Sequence, residues 1–228
     1  MAFKERISSK KKSLLALLIL FLPALFLIFI ATRGCKHNFK VLNDFGAVKD
    51  LAFKNHSGEN IKNTKFSDFQ GDILLITTLQ TSCPDSCAVS FWHINQMLYQ
   101  HIRKNKHKKL KQVRIISFAT DGIGNPLQEN EINTIKDALK DHVEGYDPNI
   151  WIIATGDARK IYDFTENGQS LLQKGEQYYG GESFQELILL LDKEQHLRMV
   201  LQGNKEGLIR RMREHLALLQ KQYDKDKK

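Results

Sequence analysis

Apolar runs and apolar residues at helical spacing alternate along this chain, and their order predicts its secondary structure. Continuous or nearly continuous apolar runs predict buried strands at residues 72–79, 113–119, 150–154, 187–191 and 196–201. Apolar residues three and four apart, such as Ile132, Ile135 and Leu139, predict helices after the first three strands and at the chain's end. A short hairpin is predicted at residues 51–62. This order predicts an α/β fold with a mixed central sheet flanked by helices.

The start of the chain has a different pattern, because residues 14–31 are apolar without a break. Such a run is long enough for a membrane span, and the basic residues before it favour a cytoplasmic N-terminus. The sequence therefore predicts a basic cytoplasmic tail at 1–12, one transmembrane helix at 13–32, a tether at 33–40, a domain at 41–223 and a charged tail at 224–228. The domain is expected on the periplasmic side. Cleavage before Cys35 with lipidation of that cysteine is the alternative, which Arg33 fits poorly.

Composition and charge limit the classes of binding partner that can be expected. The chain has 228 residues, 42% of them hydrophobic, and a formal net charge of +8, half of which comes from the tail before the apolar run. The remaining bases form no stripe interleaved with aromatic residues, so no nucleic-acid partner is expected. The lysines at 104–111 are interpreted as a solvated loop. Trp92 and Trp151 are both predicted to lie in the core.

Candidate chemistry is concentrated in two of the three cysteines. Cys83 and Cys87 follow the first buried strand, with Pro84 between them. If a helix begins at Pro84, both sulfurs lie on the same side of its first turn, where the helix dipole favours thiolates. Two clustered thiolates can cycle through a disulfide or hold a soft ion such as Cu(I).

Residues 81–87, T-S-C-P-D-S-C, resemble the T-x-C-P-D-x-C signature of the Sco/SenC family. The F-Q-G-D segment at 69–72, the loop after Asp121 and the L-L-D-K-E hairpin at 190–194 agree with that resemblance, which covers roughly residues 41–220. It implies a thioredoxin-like fold and a membrane-anchored copper chaperone. By that resemblance Cys83 and Cys87 bind Cu(I) and deliver it for assembly of the dinuclear copper site of cytochrome c oxidase.

One departure from the family concerns its third copper ligand, a histidine shortly before the late strand. Phe184 occupies that position here, and a phenyl ring cannot ligate copper. His93, His142 and His196 are interpreted as surface or internally satisfied histidines rather than substitutes. The predicted metal ligands are therefore the two cysteines alone, which suit Cu(I) and not Cu(II).

The alternative to Cu(I) transfer is a metal-independent thiol–disulfide oxidoreductase acting on extracytoplasmic partner cysteines. Cys83 is then the nucleophile and Cys87 the resolving thiol, and no cofactor is required. A peroxidase is disfavoured because Gln80 and Ile76 stand where peroxiredoxins have threonine and proline. An anchored binding module with a structural disulfide also remains open.

Overall fold

The computed structural model describes residues 2–34, 41–58, 60–80, 89, 91–106, 110, 112–122, 124–166, 169–170 and 184–226. The chain divides into two units, Met1–Lys40 and Val41–Lys228. The first unit contains helix α1, Ala2–Gly34, whose large apolar side chains are exposed wherever they are described. A search of the described residues finds no helix with the length and apolarity needed to cross a membrane.

The second unit is built on a sheet that has seven strands in the described part of the chain. Its strands are β1 (Ala52–Asn55), β2 (Lys62–Lys65), β3 (Ile73–Gln80), β4 (Val113–Thr120), β5 (Trp151–Thr155), β8 (Leu187–Leu191) and β9 (Leu197–Gln202). The short strands β6 (Thr165–Glu166) and β7 (Gln169–Ser170) form a separate ladder. The spatial order is β2-β1-β5-β4-β3-β8-β9, and β3, β4 and β5 are parallel while the other pairs are antiparallel. The predicted mixed sheet is thus confirmed.

Helices follow the parallel strands, as the apolar spacing predicted. They are α2 (Phe91–His93), a π-helical segment (Ile94–Tyr99), α3 (Gln100–Asn105), α4 (Glu129–His142), α5 (Ala158–Ile161) and α6 (Glu206–Asp226), with 3₁₀ turns at Phe66–Phe69 and Phe184–Glu186. Helix α4 buries Ile132, Ile135 and Leu139 on one face. Its start is stabilised by the Glu131 carboxylate, which accepts a hydrogen bond from the Gln128 backbone N–H at 3.0 Å.

Alternation along the strands divides the core between the two faces of the sheet. One core cluster includes Leu75, Ile115 and Ile153 together with side chains from the helical run 91–105, α4 and α6. The residues next to these three in each strand belong to a second cluster, with side chains from α5 and the 3₁₀ turns. Trp151 is fully buried, as predicted, and its indole N–H donates to Ser117 at 2.8 Å.

The prediction that Trp92 is a core residue is wrong, since this side chain is 63% exposed. Its neighbour Phe91 packs on Trp151 with the ring centroids 5.5 Å apart. Successive residues of a helix project about 100° apart. With Phe91 directed at the sheet, Trp92 is therefore turned toward solvent.

Candidate functional site

The candidate site lies at the edge of the sheet where the parallel strands β3, β4 and β5 end. Gln80, the last residue of β3, pairs in register with Thr120, the last residue of β4. Ligands of open α/β sheets bind outside the carboxyl ends of such strands. Cys83 is three residues and Cys87 seven residues beyond Gln80, but both lie outside the described residues, as does Cys35.

The chain returns to the described structure at Val89, which is buried. A Cβ added to Gly203 would lie 2.5 Å from a Val89 methyl carbon and 3.0 Å from Ile188. Val89 therefore packs tightly against the end of β9 and the start of β8, which belong to the same edge as the end of β3. Gln80 and Val89, the described residues nearest to the two cysteines on either side, therefore both lie at this edge.

A buried glutamine, Gln185, joins the strand ends at this edge. Its side-chain amide donates to the Thr120 hydroxyl at 2.9 Å and to the Asp121 carbonyl at 2.7 Å. The backbone carbonyl of Gln185 accepts a hydrogen bond from the Thr78 hydroxyl at 2.7 Å. Gln185 is 2% exposed, so these bonds are shielded from competing water.

The sequence gives no indication that Gln185 has a role at this edge, because a lone glutamine before an apolar strand forms no recognisable pattern. Its role depends on contacts with residues 60 and more positions away. Only the three-dimensional arrangement of β3, β4 and the 3₁₀ turn at Phe184–Glu186 makes those contacts visible.

The loop after β4 is held closed by its own polar residues. The Asp121 carboxylate accepts hydrogen bonds from the Asn125 backbone N–H at 2.8 Å and the Asn125 amide at 2.9 Å. Gly124 has φ +88°, a left-handed conformation that favours glycine. Arg159 from α5 donates to the Asn125 side-chain oxygen at 3.3 Å, which connects the loop to the next helix.

Phe184, at the position of the family's copper-ligating histidine, is a packed aromatic residue. It is 9% exposed, and its ring centroid lies 5.1 Å from that of Tyr162. A Cβ added to Gly124 would lie 2.7 Å from the tip of the Phe184 ring. Tyr162 itself donates to the Leu187 carbonyl at 3.0 Å, and burial raises the pKa of its hydroxyl. This corner supplies packing and no metal donor from Phe184.

Gln80 has an unusual environment for a polar side chain. Both its amide nitrogen and its amide oxygen are buried, and neither has a hydrogen-bond partner among the described residues. Buried polar groups normally find partners. Gln80 stands three residues before Cys83, so its amide is a polar group adjacent to the candidate thiols in the chain.

Of the other candidate histidines, His142 and His196 lie away from this edge. His142 ends α4 and is exposed, and His196 lies at the opposite edge, where its Nδ1 is 2.8 Å from the Asp44 carboxylate. His93 is partly exposed at the end of α2. Across the described ranges, no group of three or more histidine, cysteine, aspartate or glutamate side chains could hold a metal ion.

Comparison with known proteins confirms the fold. No protein-family model and no curated protein matches the chain. Among solved structures it is similar to BsSco, a member of the Sco family of cytochrome c oxidase assembly proteins, at 16% identity and a TM-score of 0.52, over 80% of this chain and 97% of that one. It is also similar to a putative protein disulfide isomerase from Bacteroides thetaiotaomicron, at 12% identity and a TM-score of 0.50, over 79% and 92%.

These likenesses establish a thioredoxin-like α/β fold for this chain. The resemblance to the Sco/SenC family inferred from residues 81–87 is therefore supported by the structure of the whole domain.

Proposed function

We propose that this chain is a thioredoxin-like thiol–disulfide exchange protein whose Cys83 and Cys87 act on the cysteines of an extracytoplasmic partner. The proposal is supported most directly by the end of β3, because Gln80, at the carboxyl edge of three parallel strands, precedes Cys83 by three residues in the sequence. Phe184 supports it too. A phenylalanine packed on Tyr162 stands at the position of the usual third copper ligand, and its lack of a metal donor does not affect dithiol chemistry.

The proposed exchange proceeds in two displacements. The Cys83 thiolate attacks one sulfur of a partner disulfide, so that a mixed disulfide forms and the partner's other sulfur leaves as a thiolate. The Cys87 thiolate then attacks Cys83, which closes the Cys83–Cys87 disulfide and releases the second partner sulfur. Two electrons and two protons pass from the chain to the partner, which leaves with two thiols.

The test uses the full-length chain in detergent with Cys35→Ser, so that two cysteines remain. The protein is equilibrated in glutathione buffers of graded potential, and its free thiols are counted from the mass shift after maleimide labelling. We expect both thiols to disappear together in one two-electron transition. Cys83→Ser should abolish exchange with a disulfide substrate, and Cys87→Ser should accumulate the mixed disulfide. Thiols that stay reduced, or exchange no faster than in the double cysteine variant, would contradict the proposal.

A second candidate function is Cu(I) transfer, which the resemblance of residues 81–87 to the Sco/SenC signature favours. Cu(I) is then the cargo, held by the Cys83 and Cys87 thiolates and passed by ligand exchange to a partner such as a cytochrome c oxidase subunit. Soft thiolates suit Cu(I), and two of them suffice for linear coordination. Reduction of partner cysteines and delivery of copper can both belong to one assembly pathway.

Anaerobic Cu(I) titration against a competing chelator tests this second function. We expect one tightly bound equivalent in the reduced Cys35→Ser protein and loss of that equivalent in Cys83→Ser. Cu(II) should bind weakly, since Phe184 contributes no nitrogen donor. Equal Cu(I) binding by both proteins would exclude the cysteine pair as the copper site and leave the exchange function alone.

We also propose attachment to a membrane through the apolar run at 13–32, with the basic tail in the cytoplasm and the domain on the periplasmic side. The exposed apolar side chains of α1 support attachment, and the lysines and arginines before them support the orientation. Alkaline carbonate extraction tests attachment, and protease protection in spheroplasts tests orientation. Release by carbonate, or protection of the domain in spheroplasts, would contradict the proposal.

A further inference from the structure

We propose that a cavity at the amino ends of β4 and β5 is a binding site for a phosphate group, either free phosphate or a small phosphate ester. The cavity has a volume of about 190 Å³ and lies between these strand ends and the turn that connects β1 to β2. Its lining includes Arg114 of β4 and Lys62 of β2. Thr120, at the other end of β4, is about 20 Å further along the strand, so the cavity is separate from the carboxyl edge and needs none of the proposed exchange chemistry.

The Arg114 guanidinium is held in place on three sides. Its Nε donates to the Asp72 carboxylate, and its Nη1 donates to the Asn149 carbonyl at 2.6 Å. Its central carbon lies 5.9 Å from the centroid of the Phe69 ring. The Arg114 side chain is 31% exposed, and its Nη2 makes no hydrogen bond with any described residue. A planar guanidinium that is already oriented loses little further freedom when it donates to two oxygens of one phosphate.

Lys62 supplies a second cation to the same cavity. Its side chain is exposed, and its ammonium group has no hydrogen bond or ion pair with any described residue. No acidic residue is found among the described residues that line the cavity. Since Asp72 balances the charge of Arg114, Lys62 leaves one positive charge in excess, which favours an anionic ligand.

The turn between β1 and β2 adds amide donors and is itself anchored. The Ser57 backbone N–H donates to the Asn55 side-chain oxygen at 2.9 Å, which leaves the N–H groups of that amide without a described partner. The Ile153 backbone N–H donates to the Ser57 hydroxyl at 3.1 Å, and the Lys136 ammonium donates to the Gly58 carbonyl at 3.2 Å. Asn55 and Gly58 both line the cavity, so Lys136 places a further positive charge beside it.

The volume and the donors together select a small phosphate. Drug-sized ligands occupy cavities of about 300–1,000 Å³, whereas one water accounts for about 30 Å³ of liquid. The cavity, at about 190 Å³, therefore has room for a phosphate group with some of its hydration water and not for a nucleotide. Guanidinium, ammonium and amide N–H groups donate, and ionised phosphate oxygens accept. Two cations also attract a phosphate dianion more strongly than a carboxylate with a single charge.

Equilibrium dialysis of the full-length chain in detergent against radiolabelled inorganic phosphate tests the site. We expect one saturable equivalent below about 10 mM phosphate and weaker binding of acetate. Lys62→Gln should weaken phosphate binding about tenfold, because a charge-assisted hydrogen bond is lost. Competition with glycerol phosphate distinguishes the two sources, since displacement at similar concentrations identifies a phosphate ester as a ligand and a lack of displacement assigns the site to free phosphate.

A matched control lies in the same strand. Lys65, at the other end of β2, is exposed and does not line the cavity. Lys65→Gln removes the same charge from the chain as Lys62→Gln, and we expect it to keep phosphate binding within about twofold of the parent, because exposed charges at a distance are screened by salt.

Arg114→Lys tests the orientation of the guanidinium. This variant keeps a positive charge beside Asp72 and removes the planar fork, so we expect about tenfold weaker phosphate binding. Its urea unfolding curve is measured in parallel, since Arg114 also contacts Asp72 and Phe69. The two lysine variants keep the test decisive if Arg114→Lys does not fold.

Binding that is weakened in Lys62→Gln and retained in Lys65→Gln supports the site. Equal losses in the two lysine variants would show a diffuse attraction to a basic surface and would overturn the proposal. It would also be overturned by a parent protein without saturable phosphate binding, or by acetate that binds as tightly as phosphate. None of these results would affect the exchange function, whose glutathione equilibria are measured in buffer without phosphate.

Discussion

The two edges of the sheet are stabilised by different kinds of interaction. At the carboxyl edge, beside the cysteine segment, the central connections run between the neutral groups of Gln185, Thr120 and Thr78. At the amino edge, the connections are ionic: the Arg198 guanidinium lies 3.2 Å from the Asp44 carboxylate and 3.4 Å from that of Asp192. The same sheet is thus closed by amide and hydroxyl groups at one edge and by charges at the other.

The difference follows from what each edge must do. An ion pair has a small desolvation penalty where water can still reach part of the charged group. This is the case at Asp44, whose side chain is 46% exposed. A fixed charge buried near a thiol shifts the balance between thiol and thiolate, whereas a neutral amide such as that of Gln185 makes its hydrogen bonds without adding charge. The hydrogen bonds that connect Thr78 and Thr120 to Gln185 are therefore made by groups whose charge does not change with pH.

The largest expected effect that tests this contrast is at Arg198. Its side chain is 12% exposed, and Asp192, at 6%, would lose its cationic partner in Arg198→Met. Breaking a buried ion pair from one side is strongly destabilising, so we expect a loss of about 3 kcal/mol in the free energy of unfolding, measured in urea. Arg210→Met, which removes an exposed pair with Glu206, should cost less than about 0.5 kcal/mol.

The same variant tests whether the edges are independent. We expect Arg198→Met to leave the glutathione equilibrium of the cysteine pair unchanged. A shift of that equilibrium in Arg198→Met would show that the amino edge also influences the cysteines, and the contrast between the edges would fail.

A smaller effect is expected at Gly124 on the carboxyl edge. Gly124→Ala places a Cβ in a left-handed conformation and against the Phe184 ring, and we expect it to cost about 2 kcal/mol of unfolding free energy. Phe184→Leu should reduce the additional cost of the alanine, which a double-mutant cycle measures. Gly122→Ala is the matched control, because no atom of the described residues lies within 4 Å of its added Cβ. Equal costs at the two glycines would refute the packing described for Phe184.

The smallest expected effect is a pH dependence of opposite sign at two histidines. The hydrogen bond from His196 to Asp44 raises the His196 pKa, so its stabilisation is present below about pH 6.5 and is lost as pH rises through the folded pKa. Burial lowers the pKa of His56, whose Nε2 lies 2.8 Å from the Thr155 hydroxyl. Its contribution is present above about pH 6.5 and is lost as pH falls toward the folded pKa.

Urea unfolding between pH 5 and 8 of His196→Gln and His56→Gln measures the two contributions. Relative to the parent, His196→Gln should be most destabilising at the acidic end and His56→Gln at the neutral end. Two variants with the same pH trend would show that one of these hydrogen-bonding environments is not maintained in solution.

Much of the fold could be predicted because long apolar runs leave few alternatives. The strand predicted at 187–191 has those bounds in the structure, and β3 and β4 differ from prediction by a residue at their ends. Local pattern was less informative at Trp92, where the side that faces the core depends on how Phe91 meets Trp151. The second hairpin strand begins at Lys62, where the prediction ended, because its charged residues carry no apolar alternation.

The candidate site also contains some features that the sequence predicted and others that it did not. Cys83 and Cys87 are a prediction of the sequence that the described residues do not test, and the roles proposed for them rest on that motif. Phe184 could be read from the sequence as a missing ligand, but its packing between Tyr162 and Gly124 could not. The contacts of Gln185 could not be predicted from the sequence, because its hydrogen-bond partner Thr120 lies far away in the chain.

The sequence by itself determined which segments are strands and helices, since burial of apolar runs and helical spacing act over a few neighbouring residues. It also determined the kind of chemistry available, because two cysteines four positions apart allow few reactions. Only the tertiary structure decided how the edges of the sheet are closed, by a neutral amide at Gln185 and by ions around Arg198. Those contacts join residues far apart in the chain, and their energies depend on burial that no local pattern encodes.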